Sequence, residues 1–190
     1  MPIPSHHLSI RPITPSTPFR PHPLLQNTTH PAIGQNGLFA EVPLPPRTLI
    51  CPYLGTVHGE AETDERSEYD AKVWAREGEV DGLEVGEGDV GLGIDATYAG
   101  NVARFVNDFR GIAQRANVTF EDWPSSSSSS SDNDNDNDDK GTRPRPQQQA
   151  RGLALYTGPA GVPAGAELCV SYGKAFWEAR GVLPATSRPP

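Results

Sequence analysis

Proline and glycine interrupt this chain too often for long helices to form. Of its 190 residues, 20 are proline and 19 glycine; each proline removes a backbone donor, and each interior glycine loosens a helix or strand. The apolar runs between these breaks are short. Gly37–Val42 alternates, Arg47–Cys51 carries β-branched side chains, and Asn117–Glu121 alternates again, all strand signals. Leu153–Thr157 and Glu167–Tyr172 repeat the pattern, the second entered through the turn Pro163-Ala-Gly165. Helical periodicity is confined to Glu68–Arg76 and Lys174–Arg180. The expected fold is mainly β, with short strands and a few short helices. Neither βαβ alternation nor a glycine-rich loop opening a helix is present, which disfavours the doubly wound nucleotide folds.

Composition divides the chain. Residues 1–31 carry seven prolines before Pro31, no acid, and only Arg11 and Arg20 as full positive charges; this arm is expected to be extended and poorly ordered. Its prolines forbid the amphipathic helix of a transit peptide. Residues 125–149 run from seven serines through alternating Asp and Asn to a stretch with Lys140, Arg143 and Arg145. That composition predicts a disordered insertion. Apolar strand-like runs flank it, so one domain over 32–180 is expected, interrupted at 125–149 and followed by a flexible tail, 181–190. The serine run beside aspartates suits an acidophilic kinase, although an inert spacer accounts for it as well.

The formal net charge is −8, unevenly spread. Residues 56–93 hold twelve acids against Arg66, Lys72 and Arg76, and residues 132–139 add five aspartates. Such a segment repels nucleic acid and attracts basic partners. No window approaches the roughly 18–20 apolar residues of a bilayer span, and the amino terminus lacks the apolar core of a secretory signal, so a soluble intracellular monomer without membrane or nucleic-acid partners is expected. Cys51 and Cys169 are too few for a four-thiolate zinc site and are expected to be reduced and buried. Of the five histidines, His6, His7, His22 and His30 lie in the arm and only His58 beyond it, so no metal site is expected.

Three blocks, in order, carry a resemblance. The first is Gly34-Gln-Asn-Gly-Leu-Phe-Ala40 followed by Pro45-Pro-Arg-Thr-Leu-Ile-Cys-Pro-Tyr-Leu-Gly55; the second is Ile94-Asp-Ala-Thr-Tyr-Ala-Gly-Asn-Val-Ala-Arg-Phe-Val-Asn-Asp108; the third is Val162-Pro-Ala-Gly-Ala-Glu-Leu-Cys-Val-Ser-Tyr-Gly173. Together they resemble the SET-domain family of protein lysine methyltransferases over about residues 34–177. The resemblance implies a fold of small twisted β-sheets around a knot-like core. Two departures stand out: Gln35 where the family has glycine, and Asn107-Asp108-Phe109-Arg110 where it has Asn-His-Ser-Cys. An aspartate accepting bonds from Arg104, Arg110 or a backbone amide would stand in for that histidine.

What the resemblance implies is a protein-lysine N-methyltransferase using S-adenosyl-L-methionine. Asn36, Gly37 and Leu38 would offer backbone contacts to this cofactor, with Tyr69, Arg104, Asn107, Asp108 and Trp177 around it. Tyr172 would be the catalytic residue, since transfer to an amine requires alignment of amine and methyl and loss of the ammonium proton. Tyr98, Phe105, Val170 and Phe176 would line the substrate channel; Val170, where the family often has Phe or Tyr, leaves room for more than one methyl. A basic peptide such as a histone tail, facing the acidic 56–93 segment, is the implied substrate, and a nuclear location follows from that function, with a cytoplasmic one as the alternative. The competing readings are a catalytically silent SET-fold module that binds chromatin, and a methyltransferase of a non-histone protein.

Overall fold

A computed structural model describes residues 2–20, 28–64, 66–75, 90–123 and 152–179. The chain divides into two compact units. One comprises Met1–Cys51, Val102–Phe120 and Leu155–Pro190; the other comprises Pro52–Asn101 and Glu121–Ala154. The architecture is mainly β, in small sheets of two or three strands, as the short apolar runs predict.

In the first unit β1 (Leu8–Pro12) pairs antiparallel with β2 (Asn36–Ala40), with Leu8 opposite Ala40 and Pro12 opposite Asn36. Pro12 ends an edge strand, where its missing donor disturbs no ladder. On its other edge β2 meets Ala166–Leu168: the Ala40 N–H donates to Ala166 O and the Leu168 N–H to Leu38 O. Both faces of β2 are covered as well, so it is buried as a nearly continuous apolar run rather than the alternation expected over Gly37–Val42. Leu38 and Ala40 face the main core with Leu44, Ile50, Val106, Val118, Leu155, Val162, Leu168 and Val170. Phe39 faces the other way, onto Ile13 and Ala32.

β3 (Leu49–Pro52), β8 (Val118–Trp123) and β9 (Gly152–Thr157) form a sheet in the order β3-β9-β8. Two residues of β7 (Asn107–Asp108) run parallel to β10 (Cys169–Val170). Short 3-10 turns occupy Ser5–His7 and Val102–Phe105. The helix expected near residue 174 is present as α1 (Lys174–Ala179). It follows Gly173, whose φ of +85° lets the chain turn out of β10 at no side-chain cost.

The amino-terminal arm differs from expectation. Rather than being poorly ordered, its described residues, 2–20 and 28–31, contribute β1, bury Ile3 and Ile13, and bond to the body through Ile3 N–H to Leu49 O, Ile13 N–H to Gln35 O and Arg20 N–H to Ile112 O; residues 21–27 lie outside the described residues. Prolines exclude a helix here but not an edge strand, and they lower the entropy lost on ordering the segment. His30, assigned to that arm, is buried. The insertion 125–149 and the tail 181–190 lie outside the described residues.

The second unit contains β4 (Thr56–Gly59), β5 (Asp70–Ala75) and β6 (Val90–Asp95), ordered β4-β6-β5 and antiparallel throughout. The helix predicted over Glu68–Arg76 is therefore a strand over residues 70–75. Charged residues at helical spacing suggest a helix, but β6 supplies a ladder along the whole of β5, and tertiary pairing overrides that weak local preference. Gly93 at the centre of β6 leaves space for the His58–Asp70 pair; any Cβ there would strike the imidazole. No helix among the described residues is long and apolar enough to cross a membrane.

Candidate active site

The parallel β7–β10 pairing brings together two of the three sequence blocks. Asn107 lies opposite Cys169 and Asp108 opposite Val170, and the Phe109 N–H donates to Val170 O. Asn117 clamps the second strand: its Nδ2 donates to Glu167 O, its Oδ1 accepts from Cys169 N–H, and its own N–H donates to Cys169 O. The side chain thus acts as a short length of sheet edge.

Asp108 is buried with its side chain 3% exposed. Its Oδ1 accepts from the Arg110 N–H at 2.8 Å, its Oδ2 from Arg110 Nη1 at 2.9 Å and from the Tyr172 N–H at 2.7 Å. A carboxylate accepts several bonds at once and is well held here. The side chain therefore joins the β7 turn to the backbone of Tyr172.

Tyr172 is 38% exposed. Its hydroxyl donates to Val106 O at 2.8 Å, which fixes the phenol. Its ring meets Phe176 edge-on with centroids 4.7 Å apart, and Phe176 meets Trp177 at 5.3 Å in the same manner. These edge-to-face contacts order the start of α1. The Trp177 indole N–H is buried and has no acceptor among the described residues.

Asn107 is tied to the protein on one side. Its Nδ2 donates to Glu167 Oε1 at 2.8 Å and to Asn36 O at 3.3 Å, which uses both amide hydrogens. Glu167 is buried, and its Oε2 lies 2.9 Å from His30 Nε2. The His30 Nδ1 in turn accepts from the Ala32 N–H at 3.1 Å. Gly37 makes room for this group: a Cβ there would lie 2.7 Å from Glu167 Oε1 and 2.9 Å from Ile13 Cδ1. The close approach that Gly37 permits is thus that of the protein's own carboxylate.

Asn36, Gly37, Leu38, Arg104, Phe105, Asn107, Asp108, Val170, Tyr172, Phe176 and Trp177 all belong to the first unit. Leu38 and Val170 are core residues, and the Leu38 carbonyl is already bonded to Leu168 N–H. Phe105 packs half-buried against the core, with the Arg104 guanidinium 5.4 Å from its ring centroid. Tyr69 and Tyr98 belong to the second unit, where the Tyr69 carbonyl accepts from Tyr53 OH and Ala96 N–H and Tyr98 is almost fully exposed. Sequence reasoning missed His30 and Asn117 and gave Glu167 no role; the burial of His30 and Glu167 and the clamp made by half-buried Asn117 become visible only in the fold.

The chain matches no protein-family model and no curated protein. Among solved structures it is similar to the methyltransferase domain of human PR domain-containing protein 2, at 15% identity and a TM-score of 0.49, over 90% of this chain and 80% of that one.

Among the described residues the two cysteines are not arranged as nucleophiles. Burial, followed by the charges of Glu167 and Asp108, pushes the Cys169 thiol well above the ordinary thiol range, the opposite of what a nucleophile requires. Cys51 is half-buried and, like Cys169, outside any disulfide. Among the described residues no three His, Cys, Asp or Glu side chains gather as a metal site.

Proposed function

We propose that this protein is an S-adenosylmethionine-dependent protein-lysine N-methyltransferase acting on a basic peptide, with Tyr172 as the catalytic residue. The observation that carries it is the placement of Tyr172, its hydroxyl bonded to Val106 O and its N–H to Asp108, on the segment that pairs with Asn107. This joins the second and third of the sequence blocks that resemble the SET-domain family, and the Asn107 bond to Asn36 O brings in the first.

The donor set fits the cofactor. The buried Trp177 N–H needs an acceptor, which the carboxylate or ring nitrogens of S-adenosylmethionine offer, and Asn107 retains an acceptor oxygen for its amino groups. When bound, the cofactor supplies a methyl activated by its sulfonium sulfur. The chain's residues would do the rest. Tyr172, with its proton committed to Val106 O, presents an oxygen that accepts from the substrate amine and orients its lone pair. The two oxygens, preorganised by their mutual bond, also concentrate negative potential where positive charge moves during transfer. Asp108 holds the Tyr172 backbone in place, so the family's histidine is dispensable to that geometry. Acids over 56–93 favour a basic peptide such as a histone tail, and a nuclear location would follow from that substrate.

The experiment is transfer of labelled methyl from S-adenosylmethionine to core histones by the wild type and Tyr172→Phe, with cofactor binding measured by calorimetry. Label on a histone lysine, reduced by at least about 100-fold in the variant while its melting temperature stays within a few degrees, is the expected result. Binding without label directs the search to a non-histone substrate. Absence of binding overturns the enzyme and favours a silent binding module.

A further inference from the structure

We propose that Glu167 is a positioning residue that, held by His30, locks the Asn107 side chain so that it offers a ligand only an acceptor oxygen. The inference rests on the proposed function for the identity of the ligand, but the lock itself is a property of the chain.

Three bonds in series define it. His30 Nδ1 accepts from the Ala32 N–H, so the imidazole carries its proton on Nε2 and donates it to Glu167 Oε2. Only Glu167 Oε1 is then left for Asn107. It can accept but not donate, and it lies 2.8 Å from the Asn107 side-chain amide. The amide must turn its Nδ2 inward, where Asn36 O takes the other hydrogen. Oδ1 is left on the outward side. An unconstrained asparagine at this position would present either end with little preference; this one is committed, and therefore selects an N–H donor of the ligand, such as an amino group of S-adenosylmethionine. The absent side chain of Gly37 is a condition of the arrangement, because a Cβ there would displace Glu167 Oε1.

The lock can be inverted without changing shape. In Glu167→Gln the His30 Nε2–H still requires an acceptor, so the glutamine oxygen turns toward His30 and its amine faces Asn107. Asn107 then rotates by half a turn, placing Oδ1 inward on the glutamine amine and Nδ2 outward, and gives up its longer bond to Asn36 O. Adding Asn107→Asp to this variant restores an outward oxygen while the inward one accepts from the glutamine.

The test combines solvent exchange of the Asn107 side-chain amide protons, followed by nitrogen-15 NMR on the ligand-free protein, with calorimetric titration of S-adenosylmethionine. Wild type, Glu167→Gln and Glu167→Gln/Asn107→Asp are compared at matched melting temperature. Slow exchange in the wild type, at least tenfold faster exchange in Glu167→Gln, a tenfold or greater loss of affinity in that variant and recovery in the double variant are expected. Wild-type amide protons exchanging as fast as those of an exposed asparagine overturn the lock, with no variant needed. Affinity unchanged in Glu167→Gln overturns its positioning role. A wild type that binds no S-adenosylmethionine overturns the proposed cofactor instead, and the exchange rates still decide the lock.

Discussion

Replacing His30 with alanine measures how firmly the amino-terminal arm is built into the core. The side chain is 1% exposed, its Nε2 is 2.9 Å from a Glu167 oxygen whose own side chain is 5% exposed, and its Nδ1 serves the Ala32 N–H. Truncation deletes a bond to a carboxylate, about 1.5–3 kcal/mol, and strands a backbone donor, about 1 kcal/mol or more. It also opens a cavity beside Phe19, whose ring contacts the imidazole at a centroid distance of 6.3 Å. These contributions do not simply add, because a polar cavity admits water that bonds again to the exposed groups. The net loss is expected to be about 3–4 kcal/mol, which lowers the melting temperature of a protein of 190 residues by roughly 6–16 °C. Urea unfolding followed by circular dichroism gives the value directly. His30→Gln, whose amide can donate to Glu167, should recover part of it. A loss below about 1 kcal/mol for alanine would mean that the arm is not seated in the core and would refute the reasoning.

Asp108→Ala leaves the Arg110 guanidinium, 14% exposed, and the Tyr172 N–H without their shared acceptor; a destabilisation of about 3–5 kcal/mol is expected, read by denaturant titration, and a change under 1 kcal/mol would contradict it. His58 is a pH-sensitive group of the second unit: its bond to Gly59 O first, and the Asp70 carboxylate beside it, raise its proton affinity above the ordinary value of 6.5. A raised folded value gives stabilisation that is complete below the unfolded value of about 6.5 and is lost as pH rises through the higher folded one. The melting-temperature advantage over His58→Gln should therefore shrink from acid to mildly alkaline buffer, and a constant advantage would contradict this. With valine at position 170, mass spectrometry of a methylated peptide is expected to show di- or trimethyl-lysine; monomethyl-lysine alone would contradict the expectation.

Much of the fold is legible along the chain because its signals are local. The strands at 36–40, 49–52, 118–123 and 152–157 carry short apolar runs, alternation or β-branched residues, and α1 begins just after a glycine free to adopt positive φ. β1, β5 and β6 lack such signals. β1 sits among prolines that suggest disorder, β5 has charges at helical spacing, and β6 includes Gly91 and Gly93; each is a strand because a partner completes its hydrogen bonds, and that partner is remote or unrecognisable in sequence. The candidate site divides in the same way. Asn107 and Tyr172 stand out in short motifs, whereas Glu167 and His30 meet across 137 positions of chain. A sequence can show that residue 107 bears an amide. Which end of that amide faces outward depends on a carboxylate and an imidazole brought in by the second edge of β2 and by the arm, and only the tertiary structure decides it, because a hydrogen bond is set by neighbours in space.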